Sequence, residues 1–280
     1  MVRIITDSTC DIPPERVAKL NIEVLPLVVN FGNESYRDGV DISVPEFYER
    51  LAKSDVLPFT SQVNPSEFEA AFRRCVEASD EVVYLGISSE LSGTYQSAYL
   101  AKVLLPDASI HIIDTHTVTF ALGLLVEIAV SLRDKGLSAE KIAENIRELS
   151  TRTRLVAAVD TLKYLKMGGR LSAASAVVGS LLNISPIVSV VNGKVQAIGK
   201  ARGRKAAFRF MLRELQNDRR DEDYPVSFGH SHAPERLMEC MEFFAPHVDT
   251  ACAVIGNIGC IVGTHAGPGA VGIAYIIKQA

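Results

Sequence analysis

Three short apolar runs in the first half of the chain, residues 2–6, 82–87 and 110–114, are each followed by a segment with helix-start chemistry and helix length. Strands separated by helices cannot pair through tight hairpins, so this alternation predicts a parallel sheet with right-handed crossovers. Asp11-Ile12-Pro13-Pro14-Glu15 sets a capping residue before early prolines and an acid in the first turn. Ser43-Val44-Pro45-Glu46 opens a helix to residue 53 and Asn64-Pro65-Ser66-Glu67 one to residue 79, both in the capping-box pattern. Helices are also predicted over 94–105, 117–135 and 139–151, and a second strand over 22–31 that turns at Gly32-Asn33 into a return segment.

The second half reads differently. A strand over 155–159 leads to a helix that stops near Gly168-Gly169, then to another over 173–183. Residues 187–191 and 194–198 flank Asn192-Gly193, the strongest two-residue hairpin signal. A helix over 203–217, a strand over 226–230, a helix over 234–244 and two final strands complete the chain. A hairpin among helices indicates an α+β lobe. At 280 residues the chain exceeds the usual size of a single core. The expected fold is therefore α/β, with an N-terminal lobe over residues 1–152 whose mostly parallel sheet is flanked by helices. A C-terminal α+β lobe over residues 153–280 completes one unit.

The net charge of −4 gives no basic surplus of the kind nucleic-acid binders carry, and with no Trp a base-stacking platform is not expected. Five scattered cysteines include no C-x-x-C pair, which argues against zinc or a disulfide framework and for a reducing cytosol. Asp7 comes too early for a secretory signal peptide. The longest apolar stretch, residues 120–132, is interrupted by Glu127 and falls short of the ~20 residues of a bilayer span. A cytoplasmic protein, not embedded in a membrane, is expected.

Open α/β sheets bind ligands beyond the carboxyl ends of their strands. Three such ends are rich in hydroxyls: Asp7-Ser8-Thr9, Ser88-Ser89-Glu90-Leu91-Ser92-Gly93-Thr94 and Asp114-Thr115-His116-Thr117. These residue types also cap helices and shape turns. One cap needs one hydroxyl, however, and the middle loop carries four beside a glycine that lets a ligand approach the backbone. The helix start behind it suits an anion, phosphate or carboxylate alike. No Walker A or G-x-G-x-x-G pattern supports a nucleotide.

Gly86-Ile87-Ser88-Ser89-Glu90 lacks the second glycine of a nucleophile elbow, and Ser138 in Ser138-Ala139-Glu140-Lys141 stands where a helix cap is needed. A serine-dependent acyl hydrolase using Ser88 or Ser92 with His265 is the alternative to a binding protein. Gly263-Thr264-His265-Ala266-Gly267-Pro268-Gly269 reads as a tightly turned loop entering the final strand. There His265 is either incidental or a donor aimed at a carboxylate. Arg170, after Gly168-Gly169, is either an anchor between lobes or a ligand contact. Lys200, Arg202, Arg204, Lys205, Arg209 and Arg213 form either a solvated face or a docking patch for an acidic partner.

Taken together, these stretches resemble the DegV family, whose characterised members are fatty-acid-binding subunits of bacterial fatty acid kinase. The likeness covers roughly residues 2–278. It is carried by Thr6-Asp7-Ser8-Thr9-Cys10-Asp11, Asp38-Gly39-Val40-Asp41-Ile42, Thr60-Ser61-Gln62 and Ile87 to Tyr95. Lys166-Met167-Gly168-Gly169-Arg170-Leu171-Ser172 and His265-Ala266-Gly267-Pro268-Gly269-Ala270-Val271-Gly272 add to it.

The resemblance implies one long-chain fatty acid buried between two lobes, with no cofactor, no metal and no chemistry in the binding subunit itself. The carboxylate would be held by Thr60 or Ser61, Ser92, His265 and backbone N–H near Gly93 and Thr94, with Arg170 beside it. A separate ATP-using kinase would convert the presented acid to an acyl-phosphate for phospholipid synthesis, docking at Arg202, Arg204 and Lys205. Where the family reads Thr-Ser-Gln-Pro, Val63-Asn64 stand before Pro65; where it reads Asn-Ile-Lys-Pro-Ile, Ser185 replaces the lysine. The segment Ala201-Arg202-Gly203-Arg204-Lys205-Ala206 is also less lysine-rich than the family's. A carrier is energetically sound: at ~0.8 kcal/mol per buried CH₂, a palmitoyl tail gains about 10 kcal/mol before ordering costs.

Overall fold

The computed structural model describes residues 1–173 and 183–279, so the helix predicted over 173–183 lies almost wholly outside the described residues. The first-half strands are β1 (Val2–Asp7), β2 (Glu23–Leu25), β3 (Val28–Phe31), β4 (Glu34–Arg37), β5 (Phe59–Ser61), β6 (Glu81–Gly86) and β7 (Ile110–Asp114). Those of the second half are β8 (Thr153–Ala158), β9 (Ile184–Val191), β10 (Lys194–Arg202), β11 (Ser227–His230), β12 (Val254–Asn257) and β13 (Val271–Ile276).

As the helix–strand alternation requires, β2-β1-β6-β7 form a sheet that is parallel throughout. The second half builds a mixed sheet in the order β10-β9-β8-β13-β11-β12, in which β11 and β12 are parallel and the other neighbours antiparallel. Asn192 and Gly193 take φ of 50° and 76° and close the β9–β10 hairpin as their sequence demands.

Two expectations are corrected. Residues 22–31 are not one strand. Pro26 has no N–H for a ladder, and the chain changes sheets there: β2 stays on β1, while β3 enters an antiparallel sheet ordered β4-β3-β5. Residues 263–269 are not one turned loop either. Cys260–Ala266 is a helix that includes His265, and the turn is confined to Gly267-Pro268-Gly269, whose glycines sit at φ 71° and 87°. Gly263 is there for packing: a Cβ would collide with the rings of Tyr48 and Phe47.

The helix Thr119–Asp134 joins the two halves. Its residues 119–130 are buried save Glu127, because β1 and β6 cover one side and β11, β12 and β13 the other. Glu127, the residue that interrupts the apolar run, pairs with Arg16. Across the six-stranded sheet one register row reads Gly256, Gly229, Gly272, Ala157, Val188 and Ala197. Phe120 lies in the trough of the three glycines: a Cβ on Gly229 or Gly272 would collide with its ring, and one on Gly256 with its Cβ. No helix among the described residues is long and apolar enough to cross a membrane.

Candidate functional site

Where that small-residue row continues past Phe120, the sheet and the helices above it leave a cavity of about 90 Å³. Its walls are built by Phe120, Leu155, Ala157, Val188, Val195 and Ile258 among others. A single water needs ~10–15 Å³ by the same kind of measure, so there is room for a ligand, and aliphatic walls give water no partner. Arg170 and His265 are its nitrogen-bearing lining side chains.

His265 sits in the last turn of the helix Cys260–Ala266. Its Nε2 is 3.0 Å from Thr60 Oγ1. Its Nδ1 is buried without a hydrogen-bond partner among the described residues, against Gly168, where any Cβ would collide with the ring. Burial, and then the neighbouring Arg170 charge, push the imidazole pKa down to about 4, so the ring is neutral near pH 7.

Arg170 donates from Nε to Leu91 O (3.0 Å) and from Nη1 to Gly168 O (2.9 Å). It is thus an anchor that also lines the cavity, holding the hydroxyl loop beside the segment that packs on His265. Within that loop Ser92 Oγ lies 2.9 Å from Thr94 Oγ1 and accepts from Thr94 N–H at 3.3 Å. Ser92 stands one residue before Gly93, the N-cap of the helix Thr94–Val103, and engages the Thr94 N–H that was expected to be free. Gly93 gives room to Gln62, whose Nε2 donates to Ser97 Oγ at 2.8 Å.

Thr60 and Ser61 neighbour each other on β5 and face apart, as alternation along a strand dictates. Thr60 meets His265; Ser61 is exposed and accepts from Asn30 Nδ2 at 3.1 Å. Ser88 is buried and donates to Gly193 O at 2.9 Å, tying its loop to the β9–β10 turn. Arg202, Arg204 and Lys205 are exposed at the end of β10 and the start of the helix Arg204–Asn217, Arg204 pairing with Glu239 at 2.9 Å. No group of three acidic, His or Cys side chains among the described residues is arranged to hold a metal.

No sequence signal marked β5, whose three residues are too few to show a period, or the residues that line the cavity. Aliphatic side chains in a wall and in a core look alike until the backbone is placed.

The model of the family described as uncharacterised protein, DegV family, matches residues 1–278. A DegV domain-containing protein of Caldanaerobacter subterraneus is 34% identical over 275 residues, 98% of each chain. One from Deinococcus radiodurans is 37% identical over 276 residues, 98% of this chain and 97% of its own. Among solved structures, a fatty-acid-binding DegV family protein of Thermus thermophilus superposes with a TM-score of 0.88 at 31% identity, over 99% of both chains. A stearic-acid-binding protein of Eubacterium ventriosum does so with a TM-score of 0.88 at 30% identity and the same coverage.

Proposed function

The chain belongs to the DegV family, and from that premise we propose that it binds a long-chain fatty acid between its two lobes, residues 1–152 and 153–280. The tail occupies the cavity over the six-stranded sheet; the carboxylate lies at the Thr60, Ser92 and His265 end, within reach of the Arg170 charge. One observation carries this reading: an aliphatic cavity reaches a buried imidazole whose Nδ1 has no partner among the described residues. A buried polar atom left unsatisfied costs roughly 1–3 kcal/mol, which a carboxylate oxygen would recover. The solved relatives named as fatty-acid-binding support the choice of ligand.

In this reading the protein is a cytoplasmic binding subunit. It presents the acid to a separate kinase that forms the acyl-phosphate for phospholipid synthesis, and Arg202, Arg204 and Lys205 contribute the docking surface. The hydrolase alternative gains nothing from the geometry, since the described partners of Ser88 and Ser92 are Gly193, Glu90 and Thr94, and that of His265 is Thr60.

Mass spectrometry of an organic extract of the purified protein, followed by titration of delipidated protein with palmitic, stearic and oleic acids, tests the function. One fatty acid per chain is expected. A protein that purifies empty and also binds none of the three acids refutes the reading.

A further inference from the structure

Two acidic stretches have no part in the clamp so far: Thr6-Asp7-Ser8-Thr9-Cys10-Asp11 and Asp38-Gly39-Val40-Asp41-Ile42. Asp11 and Asp38 are each only 6% exposed. Both converge on the start of the helix that carries His265. Asp11 accepts from Gly259 N–H at 2.9 Å and from the Thr119 hydroxyl. Asp38 accepts from Cys260 N–H at 3.2 Å. Two successive N–H groups that a helix start leaves without internal partners, those of Gly259 and Cys260, thus end on two carboxyl groups from the first forty residues of the chain.

That helix, Cys260–Ala266, has seven residues. Isolated helices below about 12–15 residues are marginal even with favourable sequences, so its course depends on what holds its ends and sides. Along its side it packs on the helices Val44–Lys53 and Lys163–Met167. At its start the hydrogen bonds to Asp11 and Asp38 are the polar attachment. His265 follows Cys260 by little more than one turn, so a tilt or slip at the start is passed directly to the ring.

We propose that Asp11 and Asp38 are positioning residues for the carboxylate clamp: by gripping the start of this helix they fix His265 against Thr60 at its far end. The proposal rests on the fatty-acid reading only for the consequence on affinity; the placement of the ring is independent of any ligand. It also explains why two carboxylates are kept side by side in a buried place, which is costly unless their hydrogen-bonding is complete.

The test compares ligand-free wild type with Asp11→Ala and Asp38→Ala by ¹⁵N NMR of the His265 ring, then titrates each with oleic acid. The expected result is a displaced His265 ring signal in both variants and affinities lower by about tenfold. Asp11→Asn and Asp38→Asn, which keep an oxygen acceptor, should recover most of the loss; Asn also tolerates the φ of 53° at position 11. If the alanine chains do not fold, the asparagine variants decide, with a measurable ring shift expected because an amide oxygen is a weaker acceptor than a carboxylate. A folded variant with wild-type His265 signals and an affinity within about twofold of wild type overturns the proposal. Because the ring is read without ligand, a wild type that binds no fatty acid would sink the proposed function while leaving the positioning test intact.

Discussion

Thr60 Oγ1 and His265 Nε2 lie 3.0 Å apart although 205 positions separate the residues in sequence. The contact joins the short antiparallel sheet of the first half to the final helix, and it leaves the other ring nitrogen of His265 buried beside Gly168 without a partner among the described residues.

The first prediction concerns charge at that ring. In the ligand-free protein the imidazole pKa is pushed down to about 4, by burial first and by Arg170 second. A fatty-acid carboxylate beside Nδ1 favours the charged ring, so saturation should move the titration upward. Because the folded-state value lies below that of an unfolded histidine, the unfolded chain takes up the proton first. The contribution of His265 to stability is therefore intact above about pH 6.5 and is lost as the pH falls toward 4. Histidine NMR titration with and without oleic acid checks the shift, and urea unfolding across the same range checks the stability. An unchanged titration on loading would remove the carboxylate from His265.

Hydroxyl substitutions should sort the clamp. Thr60→Val keeps the shape but leaves both His265 nitrogens without a described partner, and should weaken fatty-acid binding by roughly 1–3 kcal/mol, with Ser92→Ala in the same range. Ser61→Ala should change affinity little, since Ser61 is exposed and bonded to Asn30. Isothermal titration calorimetry separates the three. A large loss for Ser61→Ala with none for Thr60→Val would reverse the assignment.

The glycine trough under Phe120 should set the shape of the tail pocket. Gly229→Ala collides with the Phe120 ring and should push it into the cavity, lowering affinity for long straight chains more than for short ones. Phe120→Ala should destabilise the fold by about 3–5 kcal/mol and admit bulkier tails. Competition binding with acids of graded length and with branched acids reads both effects; equal affinities across the series in Gly229→Ala would separate the trough from the ligand.

Arg202→Ala combined with Arg204→Ala should leave fatty-acid affinity near wild type while lowering acyl-phosphate formation by a cognate kinase. The ion pair Arg204 loses, to Glu239, is exposed and worth roughly 0–1 kcal/mol, so the fold should persist. Added salt should weaken the wild-type pairing in the same direction, because rim charges chiefly steer association. Full kinase support from the double variant would move the docking surface elsewhere.

Much of the architecture was legible in the residue order. Capping residues and prolines located the helices Val44–Lys53 and Pro65–Glu77, Asn192-Gly193 located the hairpin, and alternation with helices made the first sheet parallel. These are local signals: a cap or a two-residue turn acts within a few positions, so its chemistry is written where it acts. Pro26 was equally visible, but only the placing of β3 showed that the chain changes sheets there.

For the site, the sequence supplied the candidates Thr60, Ser92, Arg170 and His265. It could not say that Thr60 and not Ser61 meets the histidine, since that depends on which face of β5 turns inward. Nor could it show that three glycines from β11, β12 and β13 stand in one row beneath Phe120, or that Asp11 and Asp38 end on the helix of His265. Each of these is a contact between residues tens to hundreds of positions apart, set by strand register and by the packing of one half of the chain on the other. Local sequence fixes which elements form and which chemical groups they carry; only the assembled sheets decide which groups meet, because register and packing are properties of pairs of segments and are absent from either one alone.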